Sequence, residues 1–236
     1  MEIVMSFIEN NLRDVENRIE RACIRSGRSR DDVTLIVVSK TKPVSMIEEV
    51  IGLGPRDFGE NKPQELRDKY EVLPKDLRWH MIGNLQRNKV KYVVGRAVMI
   101  HSVNSEKLAE EIDKESEKHG LIMPCLVEVN MAHEETKQGI APEEAAEFIR
   151  KISLLNNIRI EGLMTVAPYV SDPELNRSCF RALRNLAVDI AAENIDNTNM
   201  RHLSMGMTGD FEVAIEEGAT MIRVGTGILG ERNYSI

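Results

Sequence analysis

A lysine, an arginine and two short loops rich in small and hydroxyl residues carry the chemistry that this sequence can do. Lys40 stands in Val38-Ser39-Lys40-Thr41-Lys42-Pro43, directly after an apolar run over 33–38. With the two-residue period of a strand, Thr34, Ile36, Val38 and Lys40 share one face, so Lys40 arrives at the strand's end. Arg223 precedes Gly225 by two positions and shares a face with it in the same way. The loops are Ser204-Met205-Gly206-Met207-Thr208-Gly209, opening onto a helical pattern, and Gly225-Thr226-Gly227. Backbone N–H groups, hydroxyls and a helix start are the features that hold a phosphate dianion.

An inward Arg223 would need an acceptor, because an unpaired buried charge is costly. A ligand, or a carboxylate from another strand, would serve equally on spacing alone. A lysine partly desolvated beside a cation loses pKa and attacks aldehydes. Phosphate loop, arginine and lysine together suggest pyridoxal 5′-phosphate (PLP) held as a Schiff base. The plainer alternative has Lys40 binding a phosphate as a point charge. Spacing separates neither these two roles nor Lys40 from Lys42.

The elements that must position these residues alternate along the whole chain. A helical period over 5–26 comes first. Strands are expected over 33–38, 56–59, 78–82, 97–100, 124–130, 158–164, 200–203 and 220–224. Helices are expected over 43–51, 63–72, 86–94, 105–118, 142–152, 173–192 and 210–217. Eight such units closed on themselves make a single TIM (β/α)8 barrel with an additional N-terminal helix, one α/β domain over 1–236 in which residues 1–30 pack on the barrel. An open doubly wound sheet is the competitor, weakened because no GxGxxG follows a strand. In the barrel the site lies at the C-terminal strand ends, with phosphate favoured after strands seven and eight.

Composition narrows the function classes. Of 236 residues, 31 are basic and 38 acidic, a net charge of −7, which disfavours nucleic acid and anionic membranes as partners. Cys23, Cys125 and Cys179 form no CxxC pair and read as reduced thiols. No apolar run approaches the ~18 residues of a membrane span, and the first ten residues have no basic cluster. These features lead to the expectation of a soluble cytoplasmic protein. The five histidines have no metal-ligand spacing, and strand-borne His80 and His202 read as packed groups rather than catalysts. The run Gln86 to Lys91 reads as a solvated helix face, and the twelve methionines as packing.

Six segments resemble the pyridoxal phosphate homeostasis proteins, a PLP-binding group similar in fold to the barrel domain of bacterial alanine racemase. They are Val38 to Pro43, Phe58-Gly59-Glu60-Asn61, Trp79 to Lys89, Gly162-Leu163-Met164, Leu203 to Met207, and Arg223 to Thr226. The resemblance implies Lys40 as the Schiff-base lysine. It implies Ser204, Gly225 and Thr226 as phosphate ligands and Arg223 as partner of the pyridine nitrogen, with Asn61 and Met164 close to the cofactor. Lys62-Pro63 and Thr208-Gly209 depart from the family pattern and flank the site. The segment 134–139 resembles a family loop that borders the ligand; a plain turn is equally plausible.

The same resemblance implies a non-enzymatic carrier or buffer of PLP rather than a racemase-like enzyme. An always-protonated Arg223 would keep the ring nitrogen unprotonated and weaken the cofactor as an electron sink. With residues 228–236 closing the sequence, a second domain like that of the racemases is not expected, and Tyr70, Tyr92, Tyr169 and Tyr234 have no spacing that marks one as a second base. The expected partners are PLP itself and apo-PLP enzymes or amino acids, for a monomer or weak dimer.

Overall fold

Eight parallel strands close into a barrel in the computed structural model, which describes residues 5–132 and 138–231. They are β1 (Thr34–Val38), β2 (Asp57–Glu60), β3 (Arg78–Met81), β4 (Ala97–Val103), β5 (Met123–Glu128), β6 (Ile158–Met164), β7 (Thr198–Met207) and β8 (Met221–Val224). Neighbours pair in sequence order, and β8 closes on β1 with Ile36 opposite Arg223 and Val37 opposite Val224. The barrel is the expected one, and the open sheet is excluded.

Helix α1 (Phe7–Arg25) precedes the barrel, and α2 (Val44–Gly52), α3 (Pro63–Val72), α4 (Glu106–His119), α5 (Ala145–Ile152), α6 (Arg177–Ala192), α7 (Phe211–Glu216) and α8 (Thr226–Leu229) surround it. Where 86–94 was expected to be α-helical, a 3-10 helix spans Arg87–Tyr92. Its β-branched Val90 and short length favour the tighter turn. The segments opening with Pro142 and Pro173 also begin as 3-10 turns.

The important departure is β7, expected over 200–203 but continuing to Met207. The small residues Ser204 and Gly206 resemble a loop by composition, yet the ladder persists, with Ser204 opposite Met164 and Met207 opposite Arg223. Pairing with two neighbours overrides weak strand propensity here. The register shifts between Ser204 and Met207, and Gly206 takes φ 89° within the shift. A Cβ there would sit 2.6 Å from Ala214 Cβ, so α7 packs on a place only glycine can leave open.

α1 runs along the outside against α2, α7 and α8. Ser6 caps it by accepting from the Glu9 N–H, and Ile8, Leu12, Val15, Ile19 and Ala22 form its buried stripe. Asn11 Nδ2 donates to the Ile228 carbonyl at 3.1 Å, and Arg18 meets Glu212 at 2.9 Å. The helix therefore braces the segments that follow β7 and β8.

Two apolar clusters are distinct. The large one lies between strands and helices and includes Leu35, Val37, Trp79, Ile222 and Val224. The small one, Ile36, Met99, Leu126, Met164 and Met221, fills part of the barrel interior. The rest of that interior is polar.

Candidate functional site

The β8–β1 seam opens at its C-terminal end into a cleft of about 400 Å³. Lys40, Asn61, Arg223, Gly225 and Thr226 line it, five of the residues singled out by sequence. Ser204 and Met164 do not. Met164 is fully buried in the interior cluster beneath.

The turn carrying Lys40 is braced by buried charge. Lys69, on α3, donates to the Ser39 carbonyl, to Glu60 Oε1 and to Glu65 Oε1, each at 2.7 Å. Ser39 Oγ donates to the same Glu60 oxygen at 2.7 Å, and the Thr41 N–H donates to Glu65 Oε1 at 2.5 Å. Thr41 sits at φ 62°, left-handed backbone that a β-branched residue adopts only when its surroundings compel it. Burial pushes the Glu60 carboxyl up from its ordinary value, against the pull of the Lys69 ammonium. The two lysines that spacing could not separate part company here. Lys40 is half-buried at the cleft, whereas Lys42 Nζ donates to the carbonyls of Leu229, Gly230 and Glu231 at 2.8, 2.9 and 2.8 Å. Lys42 thus caps the C-terminal end of α8.

Arg223 forms part of the cleft floor and is 4% exposed. Its Nη1 donates to Ser204 Oγ at 2.6 Å and its Nη2 to the Thr165 carbonyl at 2.8 Å. Burial lowers the guanidinium to about 10, with Asp210 and Glu128 opposing, so it remains charged at neutral pH. No direct ion pair with another strand holds it among the described residues; neutral oxygens do. Burial likewise raises the Glu128 carboxyl, against a hydrogen bond from Asn104 and the charge of Arg223.

The resemblance implies a phosphate role for Ser204, and the structure places this residue in β7 rather than in the cleft lining. Because β7 continues to Met207, Ser204 lies within the barrel wall, wholly buried between Arg223 and His101 Nδ1, the latter at 2.9 Å. The hydroxyl that this segment brings to the cleft belongs to Thr208. Its Oγ1 lies 3.3 Å from Thr226 Oγ1 and accepts from the Gly227 N–H at 3.3 Å. Asp210 shapes the same loop, its Oδ1 accepting from the Met207 N–H at 2.7 Å and its Oδ2 from Asn176 Nδ2 at 2.8 Å. Asn176 also donates to the Pro168 carbonyl at 2.9 Å, tying the loop after β6 to the cleft wall.

Sequence reasoning did not single out Asn176 and Asp210, and it placed Thr208 beside the site rather than in it. The hydroxyl of Thr208 within the segment 204–209 was the available signal. Tyr169 also reaches the cleft edge, fully exposed, while Tyr70 and Tyr92 lie under cations on the outer surface. Tyr234 and residues 134–137 of the expected ligand-bordering loop lie outside the described residues. No group of three or more metal-ligating side chains gathers among the described residues, and no helix among them is long and apolar enough to cross a membrane.

The alanine racemase N-terminal domain family model matches residues 8–233. The pyridoxal phosphate homeostasis protein of Aquifex aeolicus is 47% identical over 221 residues, covering 93% of this chain and 96% of that one. PipY of Synechococcus elongatus, solved with PLP bound, superposes with a TM-score of 0.78 at 34% identity, over 92% of this chain and 100% of that one. A Clostridium difficile alanine racemase shares the fold at a TM-score of 0.72 and 16% identity, over 96% of this chain and 61% of the racemase. With a closed barrel, a cleft at its β8–β1 seam and matches of this extent, the chain belongs to the pyridoxal phosphate homeostasis protein family, on the alanine racemase N-terminal domain fold.

Proposed function

We propose that this chain binds PLP at the β8–β1 cleft through Lys40 and buffers or delivers it, without turning over an amine substrate. One observation carries the reading: a single cleft gathers an amine on a braced turn, a buried guanidinium and two hydroxyl-bearing loops. The cleft also fits the cofactor's remaining polar groups. Asn61 Oδ1 is buried without a partner, an acceptor suited to the ring hydroxyl of PLP. PLP supplies an aldehyde carbon, which condenses with a primary amine to form a C=N bond with loss of one water.

Lys40 supplies that amine. Thr208, Thr226 and the backbone of Gly225 and Gly227 would hold the phosphate, and Arg223 would be the partner of the ring nitrogen. Met164 packs beneath the site, and Ser204 acts on the ligand only through Arg223. A guanidinium donates and never accepts, so opposite Arg223 the ring nitrogen keeps its lone pair. The cofactor is then a weak electron sink, which favours storage over racemisation. Relatives that are pyridoxal phosphate homeostasis proteins support homeostasis, and the PLP bound in the Synechococcus protein supports the ligand. On this reading the protein works in the cytoplasm, and its partners are PLP and the apo-enzymes that receive it.

Borohydride reduction of the PLP-loaded chain followed by peptide mapping tests the assignment. A pyridoxyl adduct on Lys40 is expected; an adduct confined to Lys42 would overturn it. Incubation with single L-amino acids is expected to give no racemisation above that of free PLP. Sustained turnover would instead favour a racemase-like enzyme, with Tyr169, which lines the cleft, as a candidate second base. Direct delivery predicts faster activation of an apo-PLP enzyme by the loaded chain than by free PLP, and equal rates would remove it.

A further inference from the structure

We propose that His101 and His80 are positioning residues for Arg223, acting through Ser204, and that their chain ties the cleft floor to an ion pair at the opposite end of the barrel. The far end is Asp57, the first residue of β2, whose Oδ1 lies 3.0 Å from Arg78 Nε and 2.9 Å from His80 Nε2. His80 Nδ1 is 2.9 Å from His101 Nε2, the two rings meeting edge-on at 82°. His101 Nδ1 is 2.9 Å from Ser204 Oγ, which accepts from Arg223 Nη1 at 2.6 Å. His80, His101 and Ser204 are wholly buried, so water offers none of them an alternative partner.

The two ends allow only one direction of donation when the rings are neutral. A carboxylate only accepts, so His80 Nε2 carries its proton and Nδ1 accepts. His101 must then donate from Nε2 and accept at Nδ1. That acceptor takes the Ser204 proton, leaving the Ser204 lone pairs to the guanidinium, which only donates. Adding a proton to either ring would turn His101 Nδ1 into a donor and leave the Ser204 hydroxyl proton without its acceptor. The surroundings oppose such protonation. His101 faces His80 from β3, His202 from β7 and Arg223 from β8, and burial holds it well below the ordinary imidazole range. His80 is lowered by burial too, with Asp57 opposing and Arg78 assisting.

Four strands therefore hold one guanidinium rotamer, and two of its five N–H bonds are committed to Ser204 and Thr165. A bond whose acceptor is itself donating onward is strengthened by polarisation, so a change at Asp57 is felt at Arg223. The histidines touch no ligand. They set how the cleft's cation is presented, and only this last consequence rests on the PLP reading.

Two measurements on the full chain decide the matter. In ¹⁵N NMR of the cofactor-free protein, both rings are expected as the Nε2–H tautomer without titration between about pH 5.5 and 8. A ring titrating near its ordinary value of ~6.5, or protonated on Nδ1, would overturn the relay. In the PLP-loaded protein, the visible band is followed against pH for the wild type, Ser204→Ala and the rim variant Asp57→Asn. The midpoint is expected to move by about 0.5 unit or more in Ser204→Ala, and less but in the same direction in Asp57→Asn. Wild-type midpoints in both variants, with PLP still bound, would refute the coupling. If the wild type takes up no PLP, the proposed function fails, and the NMR result alone decides the relay.

Discussion

The shell outside the strands and the space inside them follow different rules. Outside, branched aliphatics and aromatics such as Ile47, Trp79, Phe180 and Ile222 pack strands against helices, and any hydrophobe of suitable volume would serve the fold. Inside, where a barrel of this type is normally filled by Val, Ile and Leu, only a small apolar plug remains. The rest is Arg223, His80, His101, Ser204, Glu128 and Thr165, each with a specific partner. A buried polar interior is costly unless its groups find partners, which these six do. Stability resides mainly in the shell and presentation of the cleft mainly in the interior.

The largest effect expected is at the seam itself. Lys40→Ala should abolish the borohydride-trapped adduct, read by intact mass, while Lys42→Ala should retain it and lose only the cap on α8. The next concerns the brace behind Lys40. Lys69→Met leaves Glu60 buried opposite a missing cation, with Glu60 Oε2 already unpaired. A loss of about 3–5 kcal/mol in urea unfolding is expected. A loss below ~1 kcal/mol would mean that the pair is solvated and that Lys40 is held by the backbone alone.

The neutral histidines predict a smaller, pH-dependent effect. Both have folded values below the unfolded imidazole value, so their contribution is present above about pH 6.5 and is lost on acidification. Stability should fall by about 1.4 kcal/mol per pH unit for each ring kept neutral once the unfolded chain takes up protons. His101→Gln should remove one ring's share of that slope. An unchanged slope would assign the acid sensitivity to the carboxylates.

The shell was legible because its signal is periodic. The strand over 158–164 and the helix over 63–72 appear as read, since burial on a known face writes itself into every second or every third to fourth residue. Arg223, Gly225 and Lys40 were legible because chain order places the last strand beside the first. Ser204 was misplaced because β7 ends in small residues whose composition says loop while their pairing says strand. The His80–His101–Ser204 chain had no sequence signal, since its members come from three strands and meet only across the closed barrel. Lys42 showed the same limit, because its partners are the distant carbonyls after β8.

The correction at β7 yields the smallest and most discriminating expectation. Thr208→Val keeps shape and β-branching and removes only the hydroxyl shared between Thr226 and the Gly227 N–H. Losing one hydrogen bond of about 0.5–1.5 kcal/mol should weaken PLP retention roughly two- to tenfold, measured by equilibrium dialysis, with an unchanged visible band. Ser204→Ala should do the reverse, disturbing the band through Arg223 while phosphate contacts persist. Retention unaffected in Thr208→Val but reduced in Ser204→Ala would return the phosphate to Ser204 and require β7 to end earlier when loaded. The two substitutions, four residues apart on one chain segment, thus separate a rim that grips the ligand from an interior that tunes it.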